Sequence, residues 1–210
     1  MSSDLNDLLR DWPHEPGRIK VRRILGGDWK PKIQLRIDLG AIQMEATGRP
    51  DGARPHGFES LLIYHLCLAQ KKEAAHEQYV LSAGEVSEFQ LESIQYYHRY
   101  ISLFQLNDFP GVICDTQHNI DIYDFVRRHR TANKCESPLE QFRSYALMMN
   151  TRAHAAIELE NGDIPAAVRE IELGKRKITE AFSGAENPET VDRNRELAFL
   201  NEWLEKIQAG

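Results

Sequence analysis

Apolar residues recur at helical spacing from Leu5 through Leu8, Leu9 and Trp12 until Pro13 and then Pro16-Gly17 interrupt them, which predicts a short docking helix at the start of the chain. The period then changes. Ile19 and Val21 alternate with Lys20 and Arg22, Gly26-Gly27-Asp28 supplies a turn, and Lys32 to Leu39 alternates almost strictly before a third alternating run at Ile42 to Glu45. Successive side chains on a strand point to opposite faces, so these runs predict a three-stranded antiparallel meander. Its apolar face must be covered by helices, because a ribbon of this size is marginal alone in water. The stretch from Gly48 to Gly57 carries five Gly or Pro residues and marks the boundary between the strand layer and a helical remainder.

From Phe58 onward the spacing is helical. Leu61, Leu62, His65, Leu66, Leu68 and Ala69 predict a first long helix over 58–80. Ser87 and Gln90 fit a capping box flanked by a Val86–Leu91 staple, and Ile94, Tyr97, Ile101 and Phe104 then supply an apparent packing face. Asp108-Phe109-Pro110 turns the chain into a third helix bearing Val112, Ile113, Ile120, Tyr123 and Val126. Ser137-Pro138-Leu139-Glu140 fits a second capping box, ahead of a helix carrying Phe142, Tyr145, Met149, Ala153 and Ala156. Asn161-Gly162 stops that helix, a fifth runs from Ile164 to Phe182, and Asn187-Pro188-Glu189 opens the last, with Leu197, Leu200, Leu204 and Ile207 on one side.

Two of these turns are alike. Leu106-Asn107-Asp108-Phe109-Pro110-Gly111-Val112-Ile113 and Asn161-Gly162-Asp163-Ile164-Pro165-Ala166-Ala167-Val168 align with a shift of 55 positions, which sets Asp108 on Asp163, Pro110 on Pro165 and Tyr123 on Ile178. Similar punctuation between amphipathic runs is the mark of a helical repeat. The segment from Arg152 through Gly162-Asp163 to Val168, with small residues at Ala153, Ala156 and Ala167, is similar to a tetratricopeptide (TPR) unit, and the likeness extends over roughly residues 87–182. The first-helix Trp, Leu-Gly and Tyr positions of that family are not reproduced, and the shift exceeds its period of about 34 residues. The acidic turns followed by Gly111-Val112-Ile113 and Ala166-Ala167-Val168 also resemble the UvrB/UvrC (UVR) motif, without its Leu-Arg-Asp part. With Leu9-Arg10-Asp11-Trp12-Pro13 and Gly48-Arg49-Pro50-Asp51-Gly52, the whole chain resembles a bacterial family labelled by that motif, which implies association with another protein.

At 210 residues, 41% of them hydrophobic and 28% charged, the chain can bury a substantial core without staples. The net charge of −6 argues against a general nucleic-acid or acidic-membrane binder. Cys67, Cys114 and Cys135 show no CxxC spacing and read as reduced thiols. An acidic N-terminus without an apolar core segment, and the lack of any stretch long enough to span a bilayer, lead to the expectation of a cytoplasmic protein.

Candidate chemistry is sparse. Asp115 and His118 lie three apart on one predicted helix with His98 on its neighbour, the spacing of a bundle metal site, but the second Glu-x-x-His is missing. Arg49, Arg54 and His56 could gather around an anion in the Gly/Pro loop, although no phosphate-loop fingerprint is present. Lys20, Arg22 and Arg36 make a small basic strand face with only Trp29 nearby for stacking, so a nucleic-acid role is not expected from it. No nucleophile elbow occurs. The expectation is therefore an α+β protein: residues 1–57 form the short helix, the meander and the loop, and residues 58–210 form a TPR-like array of antiparallel helices, together one unit. Its expected role is non-catalytic recognition of a protein, a peptide or a second copy of itself, with no cofactor and no membrane partner. The groove contacts expected from the helical pattern are Tyr96, Arg99, Asn150 and His154, each set off from the apparent packing face. Two other readings are a metal-binding helical bundle with enzymatic activity and a nucleic-acid repair accessory.

Overall fold

The computed structural model describes residues 5–130, 139–181 and 195–209. The fold is α+β, with a three-stranded antiparallel sheet followed by helices. After α1 (Leu5–Leu9), strands β1 (Lys20–Leu25), β2 (Pro31–Ile37) and β3 (Gly40–Glu45) pair in sequence order. The register sets Val21 opposite Leu35 and Leu35 opposite Ile42, and likewise Arg23, Ile33 and Met44 in the next inward row. Ile33, Leu35 and Met44 are buried, so the alternation along β2 does select the covered face. On the other face Arg22 donates to Gln34 at 2.7 Å and Gln34 to Gln43 at 2.8 Å, a polar row across all three strands. The alternation continues to Leu39 in the sequence, but β2 ends at Ile37. Asp38-Leu39 is a two-residue turn, and Leu39 stands 89% exposed at its tip.

The helical part comprises α2 (Leu61–Ala74), α3 (Ala83–Gln105), α4 (Phe109–His129), α5 (Arg143–Glu160), α6 (Ile164–Ala181) and α7 (Arg195–Ala209). Helices α3 to α6 pack each on the next, α7 lies on α5 and α6, and the sheet meets α3. One contiguous core joins strand residues Ile33, Leu35 and Met44 to Phe89, Tyr100, Val126, Ile171 and Leu200. Among the described residues no helix is long and apolar enough to cross a membrane. Cys67 is half-buried and Cys114 exposed, both free; Cys135 lies outside the described residues.

The two similar turns share one geometry. At the first, Asn107 adopts a positive φ of 55°, Asp108 N–H donates to Leu103 O at 2.9 Å, and Gly111 N–H donates to the Asp108 carboxylate at 3.1 Å. At the second, Gly162 has φ 76°, Asp163 N–H donates to Glu158 O at 2.9 Å, and Ala166 N–H donates to the Asp163 carboxylate at 2.8 Å. Each is a left-handed stop followed at once by an aspartate N-cap, with every atom pair displaced by the same interval. In the second hairpin Gly174 lets α6 approach α5 closely, since a Cβ there would overlap the Thr151 side chain.

Three expected boundaries are corrected. The capping box of α3 is Ser82 with Glu85: Glu85 N–H donates to Ser82 Oγ at 3.3 Å and Ser82 N–H to the Glu85 carboxylate at 2.7 Å. Ser87 instead bonds back to Ala83 O at 3.0 Å inside the helix, and Leu91 of the expected staple is 63% exposed. Helix α2 stops at Ala74 rather than running to 80, because His76 takes the left-handed conformation (φ 56°) and Glu77 N–H donates to Lys72 O at 2.8 Å. Helix α5 begins at Arg143 after a 3₁₀ turn at Glu140–Phe142. Ser137, Phe182 and Asn187-Pro188-Glu189 lie outside the described residues.

Candidate functional site

Two polar and aromatic assemblies lie on α3. The stripe Phe89, Glu92, Tyr96, Arg99 and Leu103 is the buried side of the helix. Of the expected groove contacts, Tyr96, Arg99 and Asn150 are therefore not on a groove: their exposures are 6%, 3% and 6%. Arg99 clasps Asp115 with two hydrogen bonds, 2.8 and 2.6 Å, and donates to Gly48 O at 2.7 Å and Glu45 O at 3.1 Å. Burial holds the Asp115 carboxyl above its ordinary value against the opposing pull of the Arg99 guanidinium that clasps it. Asn150 reaches from α5 to Thr116 Oγ at 2.9 Å, and His154 sits half-buried one turn further.

Glu92 is fully buried and accepts four hydrogen bonds or ion-pair contacts. Its Oε2 takes Leu61 N–H at 2.8 Å and Arg49 Nε at 2.9 Å, and its Oε1 takes Leu62 N–H at 3.3 Å and meets His118 Nε2 at 3.1 Å. Burial works against this carboxylate, but His118, the Leu61 amide and Arg49 together hold it below its ordinary range. Glu92 thus caps α2 from another helix, beside Ser60 Oγ on Ile63 N–H at 3.2 Å. Tyr96 lies over His118, with ring centroids 3.8 Å apart.

These bonds dispose of two sequence candidates. Both Asp115 oxygens belong to Arg99 and His118 faces Glu92, while His98 points into a different recess, so His98, Asp115 and His118 do not converge. Among the described residues no group of three or more His, Cys, Asp or Glu could hold a metal ion. Arg49 is taken by Glu92 and by Asp51 at 2.8 Å, and His56 stacks on Tyr64 at 4.0 Å; Arg54 is exposed and shares a shallow recess with Arg49, Glu45 and Glu59. The loop does not gather Arg49, Arg54 and His56 around one point. The strand cations are engaged as well: Lys20 with Glu15 at 2.7 Å, Arg22 over the Trp12 ring at 4.1 Å, and Arg36 with Gly40 O at 2.7 Å.

The second assembly is a cleft of about 460 Å³ on the adjoining flank of α3. Helix α3 contributes Ile94, Tyr97, His98 and Tyr100, and Tyr123 comes from α4. Phe142 of the 3₁₀ turn, Tyr145 of α5 and Glu196 of α7 add further walls. Tyr100 and Tyr123 form a buried floor, each 2% exposed, while Ile94, Tyr97 and Phe142 at the rim are 39%, 37% and 42% exposed. Burial raises the Tyr100 and Tyr145 phenols and pushes Tyr123 up to about 12, so all three stay neutral at ordinary pH. Burial also lowers His98, which favours its neutral ring. The α7 wall is fixed by Arg152, whose guanidinium lies between the rings of Phe104 at 4.3 Å and Phe199 at 4.7 Å.

The expected packing face Ile94–Tyr97–Ile101–Phe104 is only half a packing face. Ile101 and Phe104 lie against the core, whereas Ile94 and Tyr97 line this cleft. The run Tyr96-Tyr97-His98-Arg99-Tyr100 gave little warning of it, because two of its three tyrosines, Tyr96 and Tyr100, are buried and only Tyr97 reaches the rim. No family model, curated protein or solved structure matches the chain.

Proposed function

We propose that this chain is a non-catalytic recognition module that holds a partner protein in the cleft between α3, α4, α5 and α7. The observation that carries this reading is the anatomy of that cleft: a floor of fixed, buried tyrosines under a rim of half-exposed Ile94, Tyr97 and Phe142. Pockets of this kind, aromatic and partly desolvated before binding, are where a few side chains supply most of an interface's affinity. Stacked helical hairpins of the TPR-like type commonly present such surfaces. The polar groups of Glu92, Arg49, Arg99 and Asp115 satisfy one another and serve construction.

Affinity capture from native cells tests the reading, with wild type, Tyr97→Ala and Phe142→Ala as baits and Leu91→Ala, outside the cleft and 63% exposed, as the control. Loss of the same bound protein from both cleft variants, with the control and the urea midpoints unchanged, is the expected result. Identical capture by all four baits would refute it.

A further inference from the structure

The cleft also has a charge preference. Tyr97, Tyr100 and Tyr145 form a three-sided corner, with centroids 5.5 Å, 5.9 Å and 6.4 Å apart in pairs and Tyr97 edge-on to Tyr100 at 86°. Tyr123 and Phe142 bring two further rings to the lining. The face of each ring carries the negative part of its quadrupole, so a group meeting several faces is favoured if it is positive. Glu196 adds a full negative charge at the wall. Among the described residues no lysine or arginine lines the cleft; the guanidinium of Arg152 lies against Phe104 and Phe199, behind the lining, from where its charge reaches Tyr145. His98 is the remaining ionisable nitrogen there, and its burial favours the neutral form. The net charge of −6 gives the surrounding field the same sign.

A metal ion or a bare ammonium would surrender tightly held water to a lining whose accessible surface is mostly carbon, with hydroxyls, the Gln141 amide and the Glu196 carboxylate as its scattered side-chain oxygens, which is costly. A nitrogen already covered by methyl groups has little such water to lose. The half-exposed Ile94 and Phe142 at the rim offer apolar contact to a methylene stem, which a small free ion does not have. We propose that the cleft binds the alkylated ammonium of a methylated lysine side chain on a partner protein, seated against Tyr97 and Tyr145 above the buried Tyr100, with Glu196 as counter-charge. This rests on the proposed recognition function and names the group recognised.

The test is a titration followed by NMR of ligand and protein, using blocked Nε-trimethyllysine amide, its uncharged isostere with carbon in place of nitrogen, blocked unmodified lysine, and choline. Trimethyllysine should bind at least about tenfold more tightly than the isostere, and more tightly than lysine or choline. Tyr97→Phe should keep that binding, Tyr97→Leu should lose about tenfold, and Glu196→Gln should weaken trimethyllysine but not the isostere. Equal binding of the isostere, tighter binding of choline, or no binding of trimethyllysine would each overturn the proposal. None of these would abolish Tyr97-dependent capture of a partner, so this failure and that of the recognition function remain distinguishable.

Discussion

Replacing Arg99 by methionine separates a buried structural clasp from a surface contact. The side chain is 3% exposed and makes four hydrogen bonds, two to Asp115 and two to the carbonyls of Glu45 and Gly48. Methionine leaves Asp115 buried opposite a thioether, and breaking a buried pair in this way costs about 3–5 kcal/mol. For a chain of this size each kcal/mol moves the melting temperature by about 2–4 °C, so Arg99→Met should melt about 6–20 °C lower. Adding Asp115→Leu removes the stranded charge and leaves only the two carbonyls without their donor, so the double variant should cost about 1–3 kcal/mol. Urea unfolding monitored by circular dichroism, with the slope m unchanged, gives both values and their coupling. A single variant within about 0.5 kcal/mol of wild type, as for an exposed residue, would refute the reasoning. So would a double variant as costly as the sum of the two singles.

The equivalent turns predict matched losses. Asp108→Ala and Asp163→Ala should each cost about 1 kcal/mol in urea midpoints, with asparagine at either site costing less, and a neutral alanine at either would break the equivalence. Asp108 should lose slightly more, since it also pairs with the half-exposed Arg23. The pH dependence should fall in two windows. Burial lowers His65 and His98 below 6.5 in the fold, so the unfolded chain binds more protons there, and their contribution is present above pH 6.5 and lost as pH falls below it. The urea midpoint should therefore drop from about pH 7.5 to about pH 5.5, with a smaller drop in His98→Gln; equal midpoints would contradict this. Glu92, held below 4.5, contributes above that value and loses its contribution only in a lower window.

How far the sequence could be read differs by element. The register of the meander followed from the alternation at Lys32 to Ile37, because a strand's two faces are decided residue by residue. The hairpin turns were also readable, since an aspartate cap after a left-handed stop is a local device. The buried stripe of α3 was not. Glu92 and Arg99 carry charged, strongly hydrated side chains, and their burial depends on Arg49, 43 positions before Glu92, and Asp115, 16 positions after Arg99. The cleft escaped for a related reason: Tyr97 belongs to an apolar stripe, and only the placement of Tyr145 and Glu196 from distant helices leaves it lining a space.

Glu92 ties the two parts of the chain together across the boundary the Gly/Pro loop suggests, because the carboxylate that caps α2 also holds Arg49 of the loop. The amides of Leu61 and Leu62 find their acceptor about thirty residues ahead, on α3, and Arg49 finds its counter-ion on the same carboxylate. A fragment cut between α2 and α3 would keep every residue of the meander and of α2, yet would leave two helix amides without their acceptor and Arg49 with Asp51 alone. The first helix after the strands is thus begun by the second, and the amino-terminal layer is finished only by residues further along the chain.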